Sequence, residues 1–178
     1  MPVLKGKDYA VLLRPLGAVE DATKLMNVKE VTVSAERGRE SEDTTDGSVS
    51  SGEALENTVS GTALYHTEDS LAESIEDAVV EEEPYEIWIT NKKNVNPEGQ
   101  YRAQYRQGYF TKHEEKGEVG ANVSYDWEFT TEYKRAKDWM SLPEGIAQNR
   151  AAYGFHQPLT TDPADDGLAA GMNAPTGV

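Results

Sequence analysis

Two runs of alternating residues stand out along the chain, 28–35 and 55–65, with Val and Thr recurring among polar neighbours. A period of two predicts half-buried strands, because successive side chains of a strand leave on opposite faces. Between these runs, residues 36–54 carry almost nothing to bury, and residues 37–53 have the composition of a disordered segment when taken alone. Connections longer than about 12–15 residues are uncommon in compact domains and are usually functional or disordered. The pattern therefore predicts a long antiparallel hairpin whose tip, 36–54, projects from its own domain and orders only against something else.

The remaining elements read around that hairpin. Residues 9–14 form a short apolar run stopped by Pro15 and Gly17, which predicts a first strand buried on both faces. Residues 67–83 predict one helix. Thr67 is a candidate N-cap, Glu68 and Asp69 sit where the macrodipole favours carboxylates, and Ser70 with Glu73 offers an alternative capping box. Leu71, Ile75 and Val79 recur at helical spacing as an apolar stripe against an acidic back, and Pro84 ends the segment. A strand over 85–90 follows, turned by Asn96-Pro97-Glu98-Gly99.

Residues 85–139 hold 11 of the 15 aromatics, which places the main core there. Tyr101, Ala103, Tyr105, Gln107 and Tyr109 alternate with Arg102, Gln104 and Arg106, and the first set is expected on the core face. After a polar turn around 114–120, Val123, Tyr125, Trp127, Phe129, Thr131 and Tyr133 alternate with Ser124, Asp126, Glu128, Thr130 and Glu132. Pairing of these two strands would set Arg opposite Asp and Glu on the polar face. Residues 142–155 suit a short helix or a final strand, and 158–178 a flexible tail or an arm ordered by a neighbour. The expected organisation is one domain over 1–157 with the tail 158–178; no internal repeat is present.

Composition narrows what such a domain can do. Hydrophobic residues make up 37% and the mean hydropathy is −0.68, so the core is modest and much surface is solvated or held by partners. The net charge of −15 argues against binding a phosphate backbone, which needs Lys and Arg to release counterions. Between residues 36 and 83 there are 15 acidic and 2 basic side chains, so 2 − 15 = −13 of that charge falls in one segment. A block of this kind suits either a solvated face or a role in which the charge matters. Residues 1–8 lack the apolar core of a signal peptide and no run approaches membrane-spanning length, so a chain made in the cytoplasm and not inserted in a membrane is expected.

Catalytic patterns are missing from the sequence. There is no cysteine, hence no thiolate nucleophile and no usual structural zinc site. His66, His113 and His156 have no metal-ligand spacing, and no Gly-rich phosphate loop, Gly-x-Ser-x-Gly elbow or His-Glu-x-x-His occurs. The acidic stretches 43–47 and 162–167 lack the spacing and closing Glu of an EF-hand. Asn122-Val123-Ser124 fits a glycosylation sequon only by chance without a secretory signal. The reading is of a protein that is not an enzyme, with no catalytic residue, metal or cofactor.

Taken in order, certain strings resemble the major tail protein of long-tailed, non-contractile bacteriophages, the subunit of the tail tube. They are Lys5-Gly6-Lys7-Asp8, Leu13-Arg14-Pro15-Leu16-Gly17, Ala22-Thr23-Lys24-Leu25, the hairpin tip Asp43-Thr44-Thr45-Asp46-Gly47, Glu83-Pro84-Tyr85-Glu86-Ile87-Trp88 and the run from Gln100 to Phe110. The resemblance covers about residues 5–155. It implies a mainly β fold, a β-sandwich or barrel of two packed antiparallel sheets with one flanking α-helix and a long projecting hairpin. It further implies six-membered rings stacked into a virion tail tube that guides DNA to the host, with tape measure and tail terminator or neck proteins as partners. On that basis Asp126, Glu128 and Glu132, then Glu30 and Glu56, are expected to line the lumen and keep it repulsive to DNA. Arg37, Arg39, Glu40, Glu42, Asp43, Asp46, Val49 and Glu53 are expected in the loop that contacts the next ring. The rival reading is a monomeric β-sandwich carbohydrate- or ligand-binding module using Trp88, Tyr101 and Tyr105.

Overall fold

In the computed structural model, residues 3–67, 70–142 and 158–161 are described. Contacts divide the chain into two compact units, Met1–Ser141 and Leu142–Val178. All regular structure described lies in the first. In the second, 158–161 form a bend and a turn. The element expected over 142–155, the boundary at 157 and the character of the tail beyond 161 fall outside the described residues, Leu142 apart.

Apart from a 3-10 turn at Gly6–Asp8, the described residues of the first unit form eight strands and one helix: β1 (Tyr9–Pro15), β2 (Thr23–Lys24), β3 (Val28–Thr44), β4 (Gly47–Leu64), α1 (Ser70–Val80), β5 (Pro84–Val95), β6 (Tyr101–Lys116), β7 (Ser124–Thr131) and β8 (Ala136–Met140). Every pairing is antiparallel, in the order β2-β1-β5-β6-β7-β4-β3, with β8 joined to β6 at 101–105, on the edge that β7 uses further along. Hydrogen bonds thus run unbroken from β2 to β3, and the two expected layers are halves of one sheet.

One core cluster joins Val11 and Leu13 of β1, Ile87 and Ile89 of β5, Phe110 of β6, Tyr125, Trp127 and Phe129 of β7, Val59 and Ala63 of β4, and Ala72, Ile75 and Ala78 of α1. Strands β1 and β4 would lie about 19 Å apart in a flat sheet of this order, yet Val11 and Leu13 of the one and Val59 and Ala63 of the other belong to the same buried cluster. The sheet therefore curls, and each half covers the other. Burial of a Val, Leu, Ile or Phe side chain contributes roughly 1.5–3 kcal/mol, so this cluster is the main stabilising feature of the unit.

The helix is described over Ser70–Val80; Thr67 stands in a turn, Glu68 and Asp69 are outside the described residues, and the C-terminal end stops short of the expected 83. It ends before Pro84 because Glu82 adopts φ +53 and the Glu83 N–H donates back to Ala78 O at 3.1 Å, a Schellman-type closure.

Strand β6 corrects the expected facing. Of the expected set Ala103 is buried, but further along Arg106, Gly108 and Phe110 point to the core, and Tyr105, Gln107 and Tyr109 do not. Gly108 is required on that face, since a Cβ there would come within 1.9 Å of Thr130 O. Arg106, 1% exposed, is accommodated by neutral partners: it donates to Asn57 Oδ1, to Thr131 Oγ1 at 3.1 Å and to Gln104 Oε1 at 2.9 Å. Burial, and then the charge of Arg135, pushes its pKa down to about 10.

Candidate functional site: a polar sheet face and its ribbon

The hairpin is more regular than its composition predicts. Strands β3 and β4 stay paired to a two-residue turn at Thr45 and Asp46, where Thr44 Oγ1 donates to Gly47 O at 2.6 Å and Gly47 adopts φ +130. The expected loop at 36–54 is a two-stranded ribbon, with one register shift between Arg37 and Arg39. Its backbone groups pair within the chain, and that pairing orders it without a buried side chain. Strand β7 pairs with β4 only over Thr58–Leu64, so the ribbon outruns the sheet from residue 57 toward the turn. Arg106 reaches past the end of β7 to Asn57, at the point where the ribbon leaves.

Register places the polar positions of four strands on one face. Glu30, Thr32, Ser34 and Glu36 of β3 stand opposite Thr62, Ser60, Thr58 and Glu56 of β4. Thr62, Ser60 and Thr58 stand opposite Asp126, Glu128 and Thr130 of β7. Glu128, Asp126 and Ser124 stand opposite Lys112, Glu114 and Lys116 of β6. Of the five expected lumen residues, Glu30, Glu56, Asp126 and Glu128 therefore share a face. Glu132 lies one residue past β7, exposed, with its N–H donating to Gln107 O at 2.8 Å.

The cations facing these carboxylates were expected to be arginines of β6. They are Lys112 and Lys116 instead, because β7 pairs with the far end of β6 and a bulge near Thr111 reverses the parity of β6 there. Without the bulge in view, alternation alone could not reveal them. Lys116 Nζ lies 2.6 Å from Asp126 Oδ2 and 3.5 Å from Glu114 Oε1, and Lys112 Nζ lies 3.3 Å from Glu114 Oε2. The hydrogen bond from Lys116, then that from Thr62 Oγ1 at 2.6 Å, holds the Asp126 carboxyl below its ordinary range. Glu114 is lowered by Lys112 and Lys116, and Lys116 is raised chiefly by Asp126. Six carboxylates (Glu30, Glu36, Glu56, Glu114, Asp126, Glu128) against two lysines leave 2 − 6 = −4 on the face, set among hydroxyls. Glu36 and Glu114 escaped the sequence reading, although Glu36 keeps the parity of Glu30.

Beneath this face Gly61 lets β3 and Trp127 close together, since a Cβ there would meet Glu30 O at 2.5 Å and Trp127 Cζ2 at 2.9 Å. The face thus rests directly on the aromatic core. Further out, Arg37, Arg39, Glu40, Glu42 and Asp43 of β3, Asp46 of the turn, and Val49 and Glu53 of β4 are all exposed on the ribbon.

The aromatic positions of the rival reading are partly brought together. Trp88 pairs with Tyr105, ring centroids 5.3 Å apart, but Arg14 lies over the Trp88 ring at 5.1 Å and is ion-paired with Glu86, which also accepts from Tyr105. Tyr101 pairs elsewhere, with Val95 and Met140. A sugar would have to displace Arg14 to stack there. His113, half-buried, stacks on Tyr125 at 5.3 Å as a packing residue. Among the described residues no group of three His, Asp or Glu could hold a metal ion, and no helix is long and apolar enough to cross a membrane.

A curled antiparallel sheet with one helix, a solvated carboxylate and hydroxyl face and a side-chain-exposed ribbon defines a structural β protein built for assembly. Residues 3–134 match the family described as phage tail tube protein. The chain is 34% identical over 160 residues to a putative tail protein of Staphylococcus phage phiMR25, covering 87% of this chain and 83% of that one. The chain belongs to the phage tail tube protein family, structural components of the virion tail and not enzymes. Its fold is that of the SPP1 tail tube, with TM-score 0.71 and 20% identity over 89% of this chain and 94% of that one. It is also similar to the tail of an empty GTA particle, with TM-score 0.54 and 14% identity over 78% and 100%.

Proposed function

We propose that six copies of this chain close into a ring, that rings stack into the tail tube, and that the β3-β4-β7-β6 face lines the bore through which DNA passes. The observation that carries this reading is the gathering of Glu30, Asp126 and Glu128 on one hydroxyl-rich face whose lysines are already ion-paired. DNA carries one negative charge per about 1.7 Å of axis, and unpaired Lys or Arg along a wall would bind it by counterion release. Net negative walls with neutralised lysines let it slide. The GTA tail of the same fold was computed with C6 symmetry, which supports a six-membered ring. The ribbon, reaching beyond its own sheet, is the arm onto the next ring. In this reading Asp126, Glu128, Glu30 and Glu56 line the lumen, with Glu132 at its margin. Tape measure and terminator or neck proteins are its further partners in this reading.

Negative-stain microscopy of the purified full chain tests the reading. Tubes with a central channel are expected, and deletion of residues 38–52 is expected to leave a folded chain that forms none. A variant without the ribbon that polymerises like the parent would remove the arm from the scheme.

A further inference from the structure

The two faces of the ribbon carry opposite charge. On β3 the even positions Glu36, Gly38, Glu40 and Glu42 continue the face of Glu30, Thr32 and Ser34, and the odd positions Arg37, Arg39, Ser41 and Asp43 form the other. Side-chain placement agrees with this parity. The Glu53 carboxylate lies over Gly38, where a Cβ would fall 2.0 Å from its Oε2, and Arg37 Cδ lies 3.4 Å from the Cβ site of Gly52, the partner of Arg39. Arg39 Nη1 donates to Ser50 Oγ at 3.4 Å, on that same side.

Arg37 and Arg39 are the two cations among 15 carboxylates between residues 36 and 83, and neither forms an ion pair with a described residue. We infer that the ribbon docks on a second copy of this chain through its Arg37 and Arg39 face, and that its Glu36, Glu40, Glu42 and Glu53 face stays turned to the bore and extends the acidic wall. The inference rests on the ring-stacking reading above and adds which side of the arm makes the contact.

Charge decides between the two sides. Each copy carries −15, so a carboxylate face brought against a neighbour adds like-charge repulsion. The arginine face finds its complement on a neighbour's segment 36–83, which carries 15 acidic side chains. Guanidinium forks pair bidentately with carboxylates and are weakly hydrated, which suits them to interfaces that exclude water. Continuity with the sheet gives the same orientation: if the β3 to β7 face lines the bore, the ribbon side in register with it faces the bore also.

Charge reversal in the full chain, read by sedimentation and negative-stain microscopy, tests this. The R37E/R39E variant is expected to lower pelletable tube on the order of a hundredfold, as loss of close interfacial charge pairs does, with its thermal unfolding unchanged. The R37Q/R39Q variant, which introduces no repulsion, should show a loss of the same sign and guards against misfolding of the reversal. The E40Q/E42Q variant should polymerise within about twofold of the parent, because exposed charges off the contact contribute little. Raising salt from about 0.1 M to about 1 M, which shortens the screening length from about 10 Å to about 3 Å, should weaken parental assembly. Normal tubes from both arginine variants, or loss of tubes from E40Q/E42Q as deep as from R37E/R39E, would overturn the inference. If deletion of 38–52 abolishes tubes and the arginine variants do not, the arm stands and its docking side is wrong; if the deletion is harmless, the stacking reading itself fails.

Discussion

Strands β3 and β4 are each made of two halves that share one backbone ladder and differ in everything else. In the rooted half, Asn57, Val59 and Ala63 are 2%, 0% and 0% exposed, because β7, β6 and the curled sheet lie against them. In the free half, every residue of β3 from Glu36 to Thr44 is exposed, and Val49 of β4 is 60% exposed. The rooted half is held by side chains, the free half by main-chain hydrogen bonds. A two-stranded ribbon by itself is marginal in water, so the free half opens before the rooted half and gains more from a neighbouring copy.

The hardest blow to the rooted half is a cavity beneath it. Trp127→Ala removes the ring that packs on Phe110 and fills the space left by Gly61, and should cost about 3–5 kcal/mol in thermal unfolding. An unchanged melting temperature would show that the polar face does not stand on this core. Next comes the link between the halves. Arg106→Ala leaves Asn57 Oδ1 and Thr131 Oγ1 without their buried donor and should cost about 1–3 kcal/mol in urea unfolding. Amide exchange in residues 36–56 should quicken more than in 85–90, whereas equal quickening would deny Arg106 a role in fixing the ribbon root.

The polar face responds more weakly. Asp126 and Glu114 titrate below their ordinary values of 3.8 and 4.5, so the stability they contribute is present above those values and lost as pH falls through their lower folded pKa values. Lys116 is raised above 10.5, so its share is present below that pH and lost in stronger alkali. Asp126→Asn should therefore cost about 0–1 kcal/mol at neutral pH and flatten the acid limb of the stability curve; an unaltered acid limb would exclude this pair from it. The smallest effect belongs to the free half. Val49→Ser should change monomer stability by no more than about 0.5 kcal/mol, in contrast to Val59→Ser at 0% exposure. A large loss from Val49→Ser would mean that the ribbon packs on its own chain.

How much of this was legible depended on whether periodicity ran uninterrupted. Tyr125, Trp127 and Phe129 declared their face because β7 is straight and paired on both sides. In β6 the same logic chose the wrong face over 105–110, since a buried Arg bonded through its terminal nitrogens to Asn57, Thr131 and Gln104 looks like any exposed Arg in one dimension. Composition likewise concealed that the hairpin tip is ordered, as a ladder made by the backbone needs no apolar side chains. The candidate face was half visible: the carboxylates could be chosen by parity, whereas Lys112 and Lys116 became their partners only through a bulge.

The chain alone determined the mainly β class, the one helix, the projecting hairpin and the concentration of charge, because these follow from local period and residue type. Tertiary structure decided that four separated strands set Glu30, Glu56, Asp126 and Glu128 on a common surface, that lysines neutralise part of it, and that the arm has a cationic and an anionic side. Register between strands is a property of pairing across dozens of residues, and a one-residue shift sends every side chain to the opposite face.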